Sequence, residues 1–130
     1  MAFEAVQIKI PGLKAAADLS SKQYYLVELT AADTVNVCNG VTDRPIGVLQ
    51  NAPKSGEPAE VCALGVTKIN SDAALSVGDQ IGTAADGQAA AYVPGTDTTK
   101  YIVGMVIGAS GAAAGYATAI INCFSAARGA

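Results

Sequence analysis

RPIGVLQNAPKSGEPAEVCALGVT (Arg44–Thr67) and KYIVGMVIGASGAAAGYATAIINC (Lys100–Cys123) are two versions of one glycine-led hairpin. In each, an apolar residue precedes a glycine, Ile46-Gly47 and Val103-Gly104, and a short apolar strand follows. A Ser-Gly pair, Ser55-Gly56 or Ser110-Gly111, then turns the chain back into a second apolar strand. Such a pattern specifies backbone geometry rather than reactive groups: short β-strands, tight turns and close packing.

The flanking sequence continues the same pattern. In YYLVEL, Tyr25, Val27 and Leu29 are expected on one face with Glu28 pointing away, and in TVNVC Val35 and Val37 point inward past Asn36. Along EVCALGVTKI the alternation slips at Leu64-Gly65-Val66, the signature of a β-bulge that bends a small sheet towards closure. In LSVGDQIGTAADGQAAAY, Asp86-Gly87 is a candidate type I′ turn. About eight short strands at this spacing predict an all-β fold, a small β-barrel or sandwich.

Before Tyr24 the chain differs. Val6, Ile8 and Ile10 alternate with Gln7 and Lys9 and stop at Pro11-Gly12, giving an extended N-terminal arm. It reads equally as an edge strand on its own sheet or as an arm laid on a neighbour's sheet edge or a larger surface. AAADLSSKQ has room for one helical turn. The expected organisation is an arm and lead-in over residues 1–22, a single β-barrel-like domain over 23–124 and a flexible tail over 125–130.

Composition narrows the function. The chain has 130 residues, enough for one domain, and only 15% are charged against about 25% in ordinary domains. With alanine and 14 glycines filling much of the chain, the core is expected to be thin and partly dependent on assembly. A net charge of -3 and scattered Lys and Arg argue against nucleic acid. No apolar stretch reaches the ~20 residues that span a bilayer, so no membrane partner is expected. The start, MAFEAVQIKIPG, lacks the basic and apolar regions of a secretory signal. Cys38, Cys62 and Cys123, an odd number without CxxC spacing, read as buried thiols of a protein made in a reducing cytoplasm.

Catalytic chemistry is almost absent. Without histidine there is no Ser-His or Cys-His pair and no histidine metal site. Glu57, Glu60, Asp72, Asp79 and Asp86 fall in turns or at hairpin ends, where carboxylates serve the backbone and solubility. No calcium loop or phosphate loop is present, and no cofactor is expected. The five tyrosines, Tyr24, Tyr25, Tyr92, Tyr101 and Tyr116, read as strand residues with rim hydroxyls, or as the lining of a sugar site.

DLSSKQYYLVEL, RPIGVLQNAPKSGEPAEVCALGVTKI, LSVGDQIGTAADGQAA and TDTTKYIVGMVIGASGAAAGYATAIINC, in that order from Asp18 to Cys123, resemble the capsid cement or decoration proteins of bacteriophages. The resemblance implies a compact β-barrel-like, non-enzymatic protein, made in the bacterial host cytoplasm. It would bind the phage major capsid protein on the outer surface of the head, as a homo-oligomer, usually a trimer, that stabilises capsomer junctions. Phe3, Val6, Ile8 and Ile10 are the residues expected to contact capsid or neighbour, while Gly47, Ser55, Gly56, Asp86, Gly87, Gly104, Ser110 and Gly111 are expected to shape turns. Alternatives are a glycan- or host-surface-binding module using rim tyrosines such as Tyr92, a tail or baseplate subunit, and, least supported, a hydrolase using Asp79.

Overall fold

The computed structural model describes residues 2–128. The described residues are all-β, without a helix, so the turn expected in AAADLSSKQ does not form. The strands are β1 (Gln7–Ile10), β2 (Lys14–Ala15), β3 (Leu26–Ala31), β4 (Thr34–Val37), β5 (Gly47–Leu49), β6 (Val61–Asn70), β7 (Gln80–Thr83), β8 (Ala89–Ala91), β9 (Tyr101–Ile102), β10 (Gly104–Gly108), β11 (Tyr116–Asn122) and β12 (Ala127–Arg128). Ten of them form one sheet, ordered β2-β4-β3-β5-β6-β11-β10-β7-β8 with β1 also on β6, and β12 pairs with β9. The β2–β4 contact is parallel, which makes the sheet mixed.

Two expectations are corrected here. The main sheet is open rather than a closed barrel, and the described residues form twelve strands rather than about eight, three of them (β2, β9 and β12) only two residues long. It nevertheless curls: Leu26 N–H donates to Gly87 O at 2.8 Å, and Asp72 N–H donates to Ala89 O at 2.8 Å. These bonds bring β3 and the end of β6 to the β7–β8 hairpin, so one core cluster collects Leu26, Ile69, Ile81, Ala89, Val106 and Ile121 from six strands.

The paired glycine-led hairpins form the middle of the sheet. β5 pairs with β6, β10 pairs with β11, and β6 and β11 join antiparallel in continuous register from Tyr116↔Asn70 to Asn122↔Leu64. Gly47 and Gly104 lie inside strands rather than turns, where each lets two backbones meet. A Cβ on Gly47 would strike Cys62 O and Val61 Cγ1, and one on Gly104 would strike Ile120 O. The returns differ. Ser55 and Gly56 occupy an exposed turn with Gly56 at φ 80°. Ser110 is buried, its hydroxyl 2.7 Å from that of Ser71, and Gly111 is exposed just before a turn that places Ala114 at φ 58°.

A second, smaller core explains the lead-in. Leu13, Ala15 and Leu19 pack with Val27, Val35, Leu49, Ala59 and Val61. Strand β3 is therefore buried on both faces, Leu26 in one cluster and Val27 in the other. Val27 and Leu29 share a face with Glu28 on the other, as expected, but the face is buried only at Val27, and Leu29, towards the β3–β4 turn, is exposed. The type I′ reading of Asp86-Gly87 also fails, since only Gly87 has positive φ (87°). Gly87 N–H donates to Ala84 O at 3.2 Å and Ala84 N–H to Gln88 O at 2.7 Å, the geometry of a type I turn closed by a glycine bulge.

All three cysteines are buried free thiols, as expected. Burial pushes Cys38 and Cys123 up to about 12 and raises Cys62. Residues 125–130 were expected to be a tail. Ala127–Arg128 pair with Tyr101–Ile102, while Gly129 and Ala130, like Met1, lie outside the described residues.

Candidate functional site: an apolar sheet face and its arm

The arm lies along β6 of its own chain. Its register runs Gln7↔Gly65, Ile8↔Leu64, then shifts to Lys9↔Cys62 and Ile10↔Val61, so the bulge falls opposite Ala63 in this pairing. In the β6–β11 ladder the same segment stays in register. Gly65 has φ 135°, and a Cβ there would strike Val6 O and sit 2.7 Å from Gln7 Cα. The break that the sequence shows at Gly65 is thus a landing place for the arm's backbone.

Polar contacts fix the arm outside the ladder. Phe3 N–H donates to Thr118 Oγ1 (2.8 Å), Ala5 N–H to Val66 O (3.1 Å), and Val66 N–H to Val6 O (3.2 Å). Gln7 Nε2 adds a bond to Val66 O at 3.1 Å, and Lys9 Nζ lies 3.8 Å from Glu60. The Tyr24 hydroxyl hydrogen-bonds Glu4, and Tyr24 is pushed up to about 12 by burial first, then by that bond and the Glu4 charge. Tyr24 itself adopts φ 68°, uncommon for a bulky residue. It is held there because its N–H donates to Leu49 O (2.7 Å) and its carbonyl accepts from Asn70 N–H (2.9 Å). Its ring meets Tyr116 edge-on at 5.6 Å, with Lys68 Nζ 5.6 Å from the Tyr24 centroid.

With the arm in place, the side of the central sheet away from the main core carries a row of apolar groups. Ala117, Ala119 and Ile121 of β11 face the core, so the alternate residues Thr118 and Ile120 face out. Directly opposed residues share a face, which sets Val66, Ile120 and Met105 in line across β6, β11 and β10, with Ile8 beside Leu64. Ile120 is 48% exposed and Met105 44%. Of the arm residues singled out from sequence, Val6 is 87% exposed, Ile8 51% and Phe3 49%. Ile10 is half-buried against the second core. Ile8 thus extends the row beside Leu64, Phe3 and Val6 stand exposed ahead of it, and Ile10 packs on the second core.

The sequence did not single out Ile120 and Met105. Their signal is the alternation within ATAIIN and GMVIG, readable only once the inward residues are known. Single exposed apolar residues are ordinary on proteins, whereas a row across adjacent strands is what marks an interaction surface.

The class defined by these features is an all-β protein with a curled, open mixed sheet built around two joined hairpins. No family model and no curated protein matches the sequence. The fold is similar to a solved structure, the N base of head fiber gp8.5 in bacteriophage phi29, with a TM-score of 0.65 over 91% of this chain and 96% of that one. The two are 17% identical in sequence, so the likeness is one of fold.

Proposed function

We propose that this chain is a bacteriophage virion structural protein that sits on the outer surface of the head and binds the major capsid protein. The observation that carries the reading is the fold shared with a phage head-fiber base along 91% of the chain. The exposed apolar arm and sheet face support it as the means of contact. In this reading the protein is not an enzyme. It is made in the bacterial host cytoplasm and joins the shell as a decoration or cement protein across capsomer junctions. Residues 2–10 are its contact segment and the remainder its scaffold. Assembly as a homo-oligomer, a trimer in the simplest case, makes each later contact intramolecular and raises avidity by roughly 10²–10⁴. A second reading, favoured by what the similar structure is, makes the chain the base of a head appendage. It shares the capsid contact and differs in what stands above it.

The test mixes purified protein with undecorated, expanded heads of its phage and measures bound copies by co-sedimentation and cryo-EM. Saturable binding in fixed ratio to the major capsid protein, lost when residues 1–10 are deleted from a chain that still folds, is the expected result. Absence of binding to heads in either maturation state overturns the proposal. Unchanged binding after the deletion overturns the role of the arm. Density confined to junctions favours cement, and density rising outward favours the appendage base.

A further inference from the structure

The loop between β4 and β5 is held together by one carboxylate. Asp43 Oδ2 accepts hydrogen bonds from the N–H groups of Asn39 (2.8 Å) and Gly40 (3.0 Å), and Asp43 N–H closes onto Gly40 O at 3.1 Å. The side chain of Glu28, on β3, hydrogen-bonds that same carboxyl group. Ionised carboxylates only accept, so two of them bond each other only when one carries a proton. Glu28 is the group that carries it. Burial first, then the bond to Asp43 and the Asp43 charge, push Glu28 up to about 7, against a hydrogen bond from the Asn39 N–H that lowers it. Against the desolvation that raises it, hydrogen bonds from Glu28, Asn39 and Gly40 hold Asp43 below its ordinary value.

The surroundings supply no competing cation. Arg44, on the loop, lines the same groove as Glu28, but its guanidinium sits 5.8 Å from the centre of the Tyr101 ring. Among the described residues the ion pairs are Lys9–Glu60 and Lys100–Asp97, neither involving this pair. Cys38, at the end of β4, brings its sulfur within 4.8 Å of both carboxyls, yet burial and then the Glu28 charge keep its thiol neutral, pushed up to about 12. Cys123, beyond β11, lines the groove as a thiol at about 12 as well. A proton is therefore what reconciles the two acids. The groove beside them, about 540 Å³, is otherwise apolar, walled by Ile10, Leu29, Pro45, Ile46 and Phe124.

We propose that Glu28 and Asp43 form a proton-operated latch. One shared proton holds the 39–44 loop against β3 and fixes the groove wall, and loss of that proton sets two carboxylates against each other and releases the loop. The sign follows from linkage. The latched state binds the Glu28 proton more tightly, so its contribution is complete below the ordinary value of 4.5 and is lost as pH rises through about 7. Asp43 acts oppositely: its contribution is present above 3.8 and is lost as pH falls below its lowered folded value. The loop is thus held most firmly in mildly acidic solution and opens on the alkaline side of neutrality.

NMR on the intact chain tests this by following the Glu28 side-chain carboxyl carbon and the hydrogen-exchange protection factors of the Asn39 and Gly40 amides from about pH 5 to about pH 8. Each pK unit of difference between latched and open loop changes the opening equilibrium about tenfold. Protection at both amides should therefore fall by about tenfold or more, with the carboxyl titrating near neutrality. Glu28→Gln, which keeps a neutral donor facing Asp43, should hold protection level across the range. A Glu28 carboxyl titrating in the ordinary carboxylate range, or amide protection in the unmodified chain that is flat with pH, overturns the latch without reference to any variant. If Glu28→Gln shows the same fall as the unmodified chain, the proton belongs to another group and the proposal also fails.

Discussion

Alanine at Gly104 and alanine at Gly111 are the same chemical change in the same hairpin, and they should act with opposite sign. At Gly104 the new Cβ would strike Ile120 O and lie 3.0 Å from Ile121 Cδ1 and 3.3 Å from Ile120 C. The carbonyl belongs to the β10–β11 ladder, so it cannot swing aside as the end of a side chain would. Forcing one extra carbon into a packed site costs about 1–3 kcal/mol. Loss of glycine's freedom in the unfolded chain offsets about 0.4–1 kcal/mol of that. Because the obstacle is backbone, the packing cost falls in the upper part of its range, about 2–3 kcal/mol, and the net loss should be about 1–2.6 kcal/mol. At Gly111 nothing lies within 4 Å and φ is not positive, so only the unfolded-state gain remains, about 0.4–1 kcal/mol of stabilisation. Gly47→Ala should resemble Gly104→Ala, because it meets Cys62 O across the equivalent hairpin. Urea unfolding followed by far-UV circular dichroism reads the differences as midpoint shifts at constant slope. Should Gly104→Ala match the parent within about 0.5 kcal/mol, the size of ordinary surface changes, the close-approach account of these glycines is wrong. It is equally wrong if Gly111→Ala loses as much as Gly104→Ala.

Two further substitutions probe the arm and the buried polar cluster. Gly65→Ala places a Cβ on Val6 O at a backbone φ of 135°, and the arm is the part able to retreat. Amides of Gln7 to Ile10 should lose exchange protection while the β6–β11 amides keep theirs; intact arm protection would contradict the landing-place reading. Ser71→Ala removes a hydroxyl that is 2.7 Å from Ser110 Oγ and donates towards Ala112 O at 3.0 Å and Gly115 O at 3.2 Å. Ser110 Oγ keeps its bond to Ala112 O (3.0 Å) and Gly115 O keeps the Ser71 N–H, so the loss is that of the hydrogen bond itself, about 0.5–1.5 kcal/mol, measurable in the same urea titration. A change below about 0.5 kcal/mol would mean water takes the hydroxyl's place.

Where sequence reasoning succeeded, a local chemical preference and the tertiary environment agreed. Val35, buried beside half-buried Asn36, follows the strand period, and the two glycine-led segments are hairpins. It failed where the deciding partner lies far along the chain. Leu26 is buried as well as Val27, because Ile81 and Ala89 pack in its cluster while Leu13 and Leu19 reach Val27 from the lead-in, which no pattern inside YYLVEL reveals. Asp86-Gly87 carries the dipeptide of one turn and makes another, because Leu26 N–H already claims Gly87 O. Strands of two residues are too short for any alternation to show. The proposed contact surface was half legible: the alternating Val6, Ile8 and Ile10 of the arm stand out, whereas Ile120 and Met105 acquire meaning only when β11 lies between β6 and β10.

The union of β6 with β11 also dictates when this protein can exist. Val61–Asn70 leaves the ribosome well before the strand it must pair with, which begins only at Tyr116. Until then an apolar strand waits without its main neighbour, and pairing across so long a separation is entropically slow. The central sheet is therefore completed only after β11 has been synthesised. Any nascent or clipped chain lacking residues 116–122 leaves the long β6 edge open to a strand from another molecule, which makes full-length synthesis itself a safeguard against aggregation.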